Sequence, residues 1–248
     1  NYGRFGRSRR LEKKIPGGKR MISRKVPVPI DEADVVISVP VMKIHFAAKV
    51  SLAIKNLQGA MPPLEKYMTH FFGLWQNLVN IHYVVKPDLI IVDGLVGQED
   101  FGPISGTPKE MNLLIAGTNP VAVDAVTMEI MGLDPLSSPP VWIAYMNGLG
   151  PVDPALITIK GSPVNEVKNP FREPVIDISG GNFLDVYDGQ ACSGCRGYLH
   201  FVLSKLRKPD PQDSSRSLID RPFEKKVSVF LGPSATQPIN PDETNIFL

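Results

Sequence analysis

Three apolar, β-branched runs, each ending in a group of polar residues, constrain this chain most. The first is Val35-Val36-Ile37-Ser38-Val39-Pro40-Val41-Met42, closing on Lys43 and His45. The second runs from Leu89 to Val92 and closes on Asp93-Gly94, and the third runs from Met111 to Ala116 and closes on Gly117-Thr118-Asn119-Pro120. Short apolar runs rich in Val and Ile read as buried strands. The spacing predicts strands over 34–41, 89–92 and 111–116. Between and after them, apolar residues recur at helical spacing, which predicts helices over 46–57, 69–85, 120–131 and 139–147. Asn119 suits the cap of the third helix and Pro120 its first turn. Strands alternating with helices predict an α/β fold, a mostly parallel sheet with helices on both faces.

Beyond residue 160 the pattern loosens. Strands are expected over 156–160, 175–178 and 227–231, a helix over 196–206 and a polar surface loop over 209–222. The expected organisation is a basic arm with a short strand over 1–33, an α/β core over 34–160 and a C-terminal α+β extension over 161–248. The extension either forms a separate unit or belongs to the same domain.

In a parallel sheet the carboxyl ends of the strands share one edge, where ligands bind. That places three groups together. Lys43, His45, Lys49, Lys55 and Asn56 follow the first run. Asp93 ends the second and leads into a Gly-punctuated stretch holding Glu99 and Asp100. Thr118 and Asn119 end the third, with Asp124 one turn into the helix. Lysines and a helix start favour an anion such as a carboxylate or phosphate. Lys43, His45 and Asp93 are the candidate catalytic residues, as acid, base or activating cation. Lys49, Lys55, Asn56, Glu99, Thr118, Asn119 and Asp124 are the candidate ligand-binding set, whose carboxylates could also hold a divalent metal. The plainer alternatives are a turn cap for Asp93, a helix-dipole role for Asp124 and structural roles for His45, His70, His82 and His200. The stretch 93–108 reads as a functional loop, yet it matches neither a Walker loop nor a dinucleotide fingerprint.

Cys192 and Cys195 form Cys-Ser-Gly-Cys just before the 196–206 helix. One such pair is not a secreted disulfide framework, and it points to a reducing, cytoplasmic setting. A helix start stabilises thiolate, so the pair suits redox chemistry or metal ligation. An iron–sulfur or zinc site needs about four ligands, so the others would come from a second subunit of a homo-oligomer or from sequence outside this chain.

Composition excludes other classes. Ten Lys and Arg residues crowd the first 25 positions, opposed only by Glu12, but the net charge is +2. A basic arm can hold phosphates. With a balanced whole and few interleaved aromatics, nucleic acid ranks last among the partners. No run approaches the ~20 apolar residues of a membrane helix, so no membrane partner is expected. The chain starts at Asn1 and ends on Ile246-Phe247-Leu248, and it reads as a piece of a longer protein.

The segments Asp34-Val-Val-Ile-Ser-Val-Pro40, Lys43-Ile-His45, Lys55-Asn-Leu-Gln-Gly59, Ile91-Val-Asp-Gly94, Ser105-Gly-Thr-Pro108 and Ala116-Gly-Thr-Asn-Pro-Val-Ala-Val-Asp-Ala125 resemble the domain-of-unknown-function family 362. The resemblance spans residues 30 to 150. It implies an α/β fold in which these positions matter. Some members carry iron–sulfur clusters on ferredoxin-type cysteine groups, whereas this chain has one pair. The function expected is that of an enzyme binding an anionic small molecule at the strand carboxyl ends, with a redox or metal-linked cysteine pair. The alternatives are an iron–sulfur or other metal-binding electron-transfer protein and a nucleic-acid binder.

Overall fold

The computed structural model describes residues 9–18, 21–222, 224–237 and 239–248. Arg4, Arg7, Lys19 and Arg20 of the basic segment lie outside them. The chain divides into two compact units, Asn1–Glu173 and Pro174–Leu248.

The first unit opens with an antiparallel hairpin of β1 (Arg10–Lys14) and β2 (Ser23–Pro27), followed by the single turn α1 (Val28–Asp31). Part of the expected basic arm is therefore ordered structure. Next come β3 (Ile37–Ser38), β4 (Val41–His45) and β5 (Lys49–Val50). The single strand expected over 34–41 is thus two. Val39-Pro40 interrupts it, because proline has no N–H to offer the ladder. Pro40 still accepts a hydrogen bond from the Asp93 N–H at 2.8 Å.

The helix expected over 46–57 shrinks to α2 (Ala53–Asn56), since residues 46–52 form a turn and β5. The helix expected over 69–85 is replaced by α3 (Pro63–Phe71) and α4 (Leu74–Ile81). They break at Gly73, whose φ of 106° only glycine adopts readily.

The largest correction concerns the Gly-punctuated stretch. It is a long hairpin of β6 (Leu89–Phe101) and β7 (Ser105–Gly117), paired from Ile90↔Gly117 to Phe101↔Ser105. Its glycines mark close approach rather than loop freedom. A Cβ on Gly102 would lie 2.3 Å from the Ile44 carbonyl oxygen, and one on Gly106 2.5 Å from that of Glu99. The central β6 pairs in parallel with β3 and β4 and antiparallel with β7, while β4 pairs antiparallel with β5. The sheet is mixed, and the third strand does not run parallel to the first two.

After β7 come α5 (Pro120–Ile130), α6 (Pro139–Met146) and the turn α7 (Val164–Val167). As the sequence predicts, Asn119 caps α5, its side chain accepting from the Val121 and Ala122 N–H groups at 3.0 Å each. Met42, Ile44, Ile90, Val92, Val121 and Met128 form the centre of the core.

The second unit holds β8 (Leu184–Asp188), α8 (Ser193–Leu206), the short β9 (Pro209–Asp210) and β10 (Asp213–Ser217), then β11 (Val227–Leu231) and β12 (Thr244–Phe247). β8 and β12 flank β11 in a parallel sheet. Leu199 and Leu203 of α8 pack with Leu184, Val229 and Leu231. The expected 196–206 helix and 227–231 strand are present, whereas 156–160 and 175–178 are not strands. The 209–222 region, expected as a loop, holds β9 and β10.

Candidate anion site

Alternation along β4 sends Met42 and Ile44 into the core and puts Lys43 and His45 on the other face. His45 is 5% exposed. Its Nδ1 accepts from the N–H groups of Ala47 and Ala48 at 3.1 and 3.2 Å, which leaves the proton on Nε2. The surrounding turn is braced. Trp75 Nε1–H donates to the Ala47 carbonyl at 2.8 Å and Ser138 Oγ–H to that of Ala48 at 3.0 Å. The His45 ring stacks on Phe46, and Phe46 stacks on Phe101 at the tip of the β6–β7 hairpin.

Lys55 joins this group from α2. That short helix cannot hold itself in place, and two buried groups fix it. The Asp124 carboxylate of α5 accepts from the Ala53 and Ile54 N–H groups at 2.7 and 3.0 Å. His82 Nε2 bonds the Ile54 carbonyl at 2.9 Å; a carbonyl only accepts, so Nε2 carries the proton. Burial drives the Asp124 pKa up to about 7, against the pull of its two N–H donors. Asn56 turns back to β3, where its Nδ2 donates to Ser38 Oγ at 3.0 Å.

His70 completes the cluster from α3. Like charges act within this group, most of all on His45. Burial, then Lys55, His70 and Lys43, push His45 down to about 3. Burial and Lys43 bring Lys55 down to about 8. Burial lowers Lys43, and burial and Lys55 lower His70. No carboxylate is among the charges that shift them. A neutral His45 offers an Nε2–H donor beside two ammonium groups, an arrangement suited to a carboxylate, sulfate or phosphate.

The other expected members are elsewhere. Asp93 pairs with Val41 at the start of β4, and its Oδ1 accepts from the Leu95 N–H at 3.0 Å. Lys49 pairs with Glu173. Glu99, 5% exposed, is bound up with Arg172 at 2.7 Å and Lys109 at 3.4 Å. Because β7 runs antiparallel, Gly117 pairs with Ile90 while Lys43 pairs with Gln98, so Thr118 and Asn119 lie at the opposite end of β6. They line a groove of about 580 Å³ against residues 156–162, in which Lys160 is the one charged lining residue. Asn119 Nδ2 is itself held by the Leu149 carbonyl at 2.9 Å. The three groups therefore do not converge. Lys43, His45 and Lys55 do meet, with Asp124 behind α2. The sequence reading gave His70 a structural role, and no local pattern marks it, since α3 follows α2 only through the turn over 57–62.

Fold and site define an α/β protein with a cluster of basic side chains that no carboxylate among the described residues is seen to shift. The description "Domain of unknown function (DUF362)" matches residues 5–129, about half of the chain, and the chain belongs to that family. It is also similar to the thylakoid-associated protein sll1697 of Synechocystis sp., with 32% identity over 153 residues. That match covers 58% of this chain and 47% of the relative, so the chain spans about half the length of the relative. No solved structure matches the chain. No described helix is long and apolar enough to cross a membrane.

Proposed function

We propose that this chain binds an anionic small molecule at Lys43, Lys55 and His70, with His45 Nε2–H as a neutral donor. One observation carries the reading. Two partly buried lysines and two histidines crowd together with no carboxylate among the groups that shift them. Holding ammonium groups this close and this dry costs stability, and an anion relieves that cost. Asp124 and His82 serve as positioning residues, since they hold the turn that presents Lys55.

The test is thermal unfolding with sodium sulfate against sodium chloride at matched ionic strength. A bound anion raises stability as its concentration passes the dissociation constant. Sulfate should raise the melting temperature of the native protein beyond chloride, and Lys43→Met and Lys55→Met should lose the difference. If both variants respond as the native protein does, the anion is not held at this cluster.

A further inference from the structure

The second unit carries a separate chemical feature. β8 and β11 run parallel and end at Asp188 and Leu231, and α8 starts just after β8. Cys192 is the residue that caps α8, exposed, and Cys195 lies one turn in, partly buried. The Cys192 side chain is near enough to act on the Cys195 thiol. The frame around them is tight. The Asp188 carboxylate accepts from the Ala191 N–H at 3.0 Å and pairs with Arg196. The Ser234 N–H donates to the Gly189 carbonyl at 2.9 Å, and a Cβ on Gly189 would collide with Ala235 at 1.8 Å. A dithiol set on such a frame loses little freedom when its sulfurs join.

We propose that Cys192 and Cys195 are a dithiol–disulfide couple that exchanges with small-molecule disulfides, Cys192 attacking and Cys195 resolving. The Cys192 thiolate attacks one sulfur of the incoming disulfide, forms a mixed disulfide and expels one thiolate. Cys195 gives up its proton and attacks the Cys192 sulfur, forming the intramolecular bond and expelling the second thiolate. Two electrons pass from the protein to the disulfide, and the two protons end on the two small thiols. The order follows from exposure, since Cys192 is open to solvent. Burial and then the neighbouring Cys192 hold Cys195 in the thiol form.

The experiment treats the whole chain with oxidised glutathione and follows mass and free thiols. The native protein should become two hydrogens lighter and lose both thiols, and dithiothreitol should restore them. Cys195→Ser should stop at a glutathione adduct on Cys192. Cys192→Ser should react at least about tenfold more slowly, as a less exposed thiol held protonated does. Three results would overturn the proposal. They are a native protein that ends as a double adduct, variants that react at equal rates, and thiols that oxidised glutathione reaches only after a bound metal is stripped. The site lies wholly in the second unit, so none of these outcomes bears on the anion cluster.

Discussion

The sheet of the first unit carries two groups of basic side chains, and they are satisfied in opposite ways. At the β6–β7 hairpin, Lys109 of β7 and Arg172, which comes from the 170–172 segment, are matched by carboxylates. Glu99 takes both and also accepts from the Arg172 backbone N–H at 3.0 Å, while Asp100 takes the Arg172 side chain through two bonds at 3.0 and 3.1 Å. Beside β4, Lys43 donates to the Val41 carbonyl at 3.4 Å, and no described carboxylate is among the groups that shift Lys43, Lys55 and the two histidines. The matched group ties a hairpin to residues 170–172 and has no charge to spare. The unmatched group stores an electrostatic cost that an external anion can remove. Basic residues alone do not mark a site; basic residues without acids, partly removed from water, do.

Variants can pull this contrast apart. The largest effect belongs to Glu99→Ala: the exposed Arg172 guanidinium keeps Asp100, but Lys109 loses its carboxylate and the Arg172 backbone N–H its acceptor. Losing those charge-assisted hydrogen bonds costs about 3 kcal/mol. Urea unfolding should show that loss while sulfate affinity stays within about twofold, since distant sites act independently. Asp124→Asn comes next. One of the two N–H groups it serves would face an NH₂ instead of an oxygen, an unsatisfied donor worth about 2 kcal/mol. Because that turn presents Lys55, sulfate affinity should fall as well, which separates Asp124 from Glu99.

Lys55→Met should move stability the other way. In the folded chain Lys55 titrates near 8, below its ordinary value of 10.5. The unfolded chain therefore keeps the proton to higher pH. The penalty is fully present below pH 8 and fades as pH rises through 10.5. Removing the charge should stabilise the protein at neutral pH by about 3 kcal/mol, an order-of-magnitude figure from the size of that shift, while sulfate binding is lost. A variant that is more stable and binds less is the signature of a site rather than of a scaffold. The smallest effect is Lys49→Met. Its pair with Glu173 lies near the surface, so both stability and sulfate affinity should change by less than about 1 kcal/mol.

How much of this was legible in the sequence follows from the range of each signal. The Asn119 cap, the 120–131 helix and the 227–231 strand are local, and they appear as read. The facing of Lys43 and His45 follows from period-two alternation and holds. The hairpin was hidden because glycine signals two things, backbone freedom and close approach. At Gly102 and Gly106 the second applies, and only the opposing strand shows it. Taking that stretch as a loop made the sheet parallel, and a parallel sheet made Asp93, Thr118 and Asn119 converge with Lys43. Once β7 turns back, they cannot. Asp124 reaches α2 and His70 faces Lys55 by long-range packing, which no short window of sequence carries.

The most direct test of the central claim is calorimetric sulfate affinity measured across pH, because sulfate keeps its charge throughout. Binding needs the Lys55 ammonium, which the free protein loses near pH 8. The native protein should therefore bind progressively more weakly from about pH 7 to about pH 9.5, taking up a proton as it binds, and Lys55→Arg should stay flat because a guanidinium remains charged there. A native protein whose affinity is constant over that range, or a Lys55→Arg variant that declines as steeply as the native protein, would contradict an anion site built on the unmatched lysine.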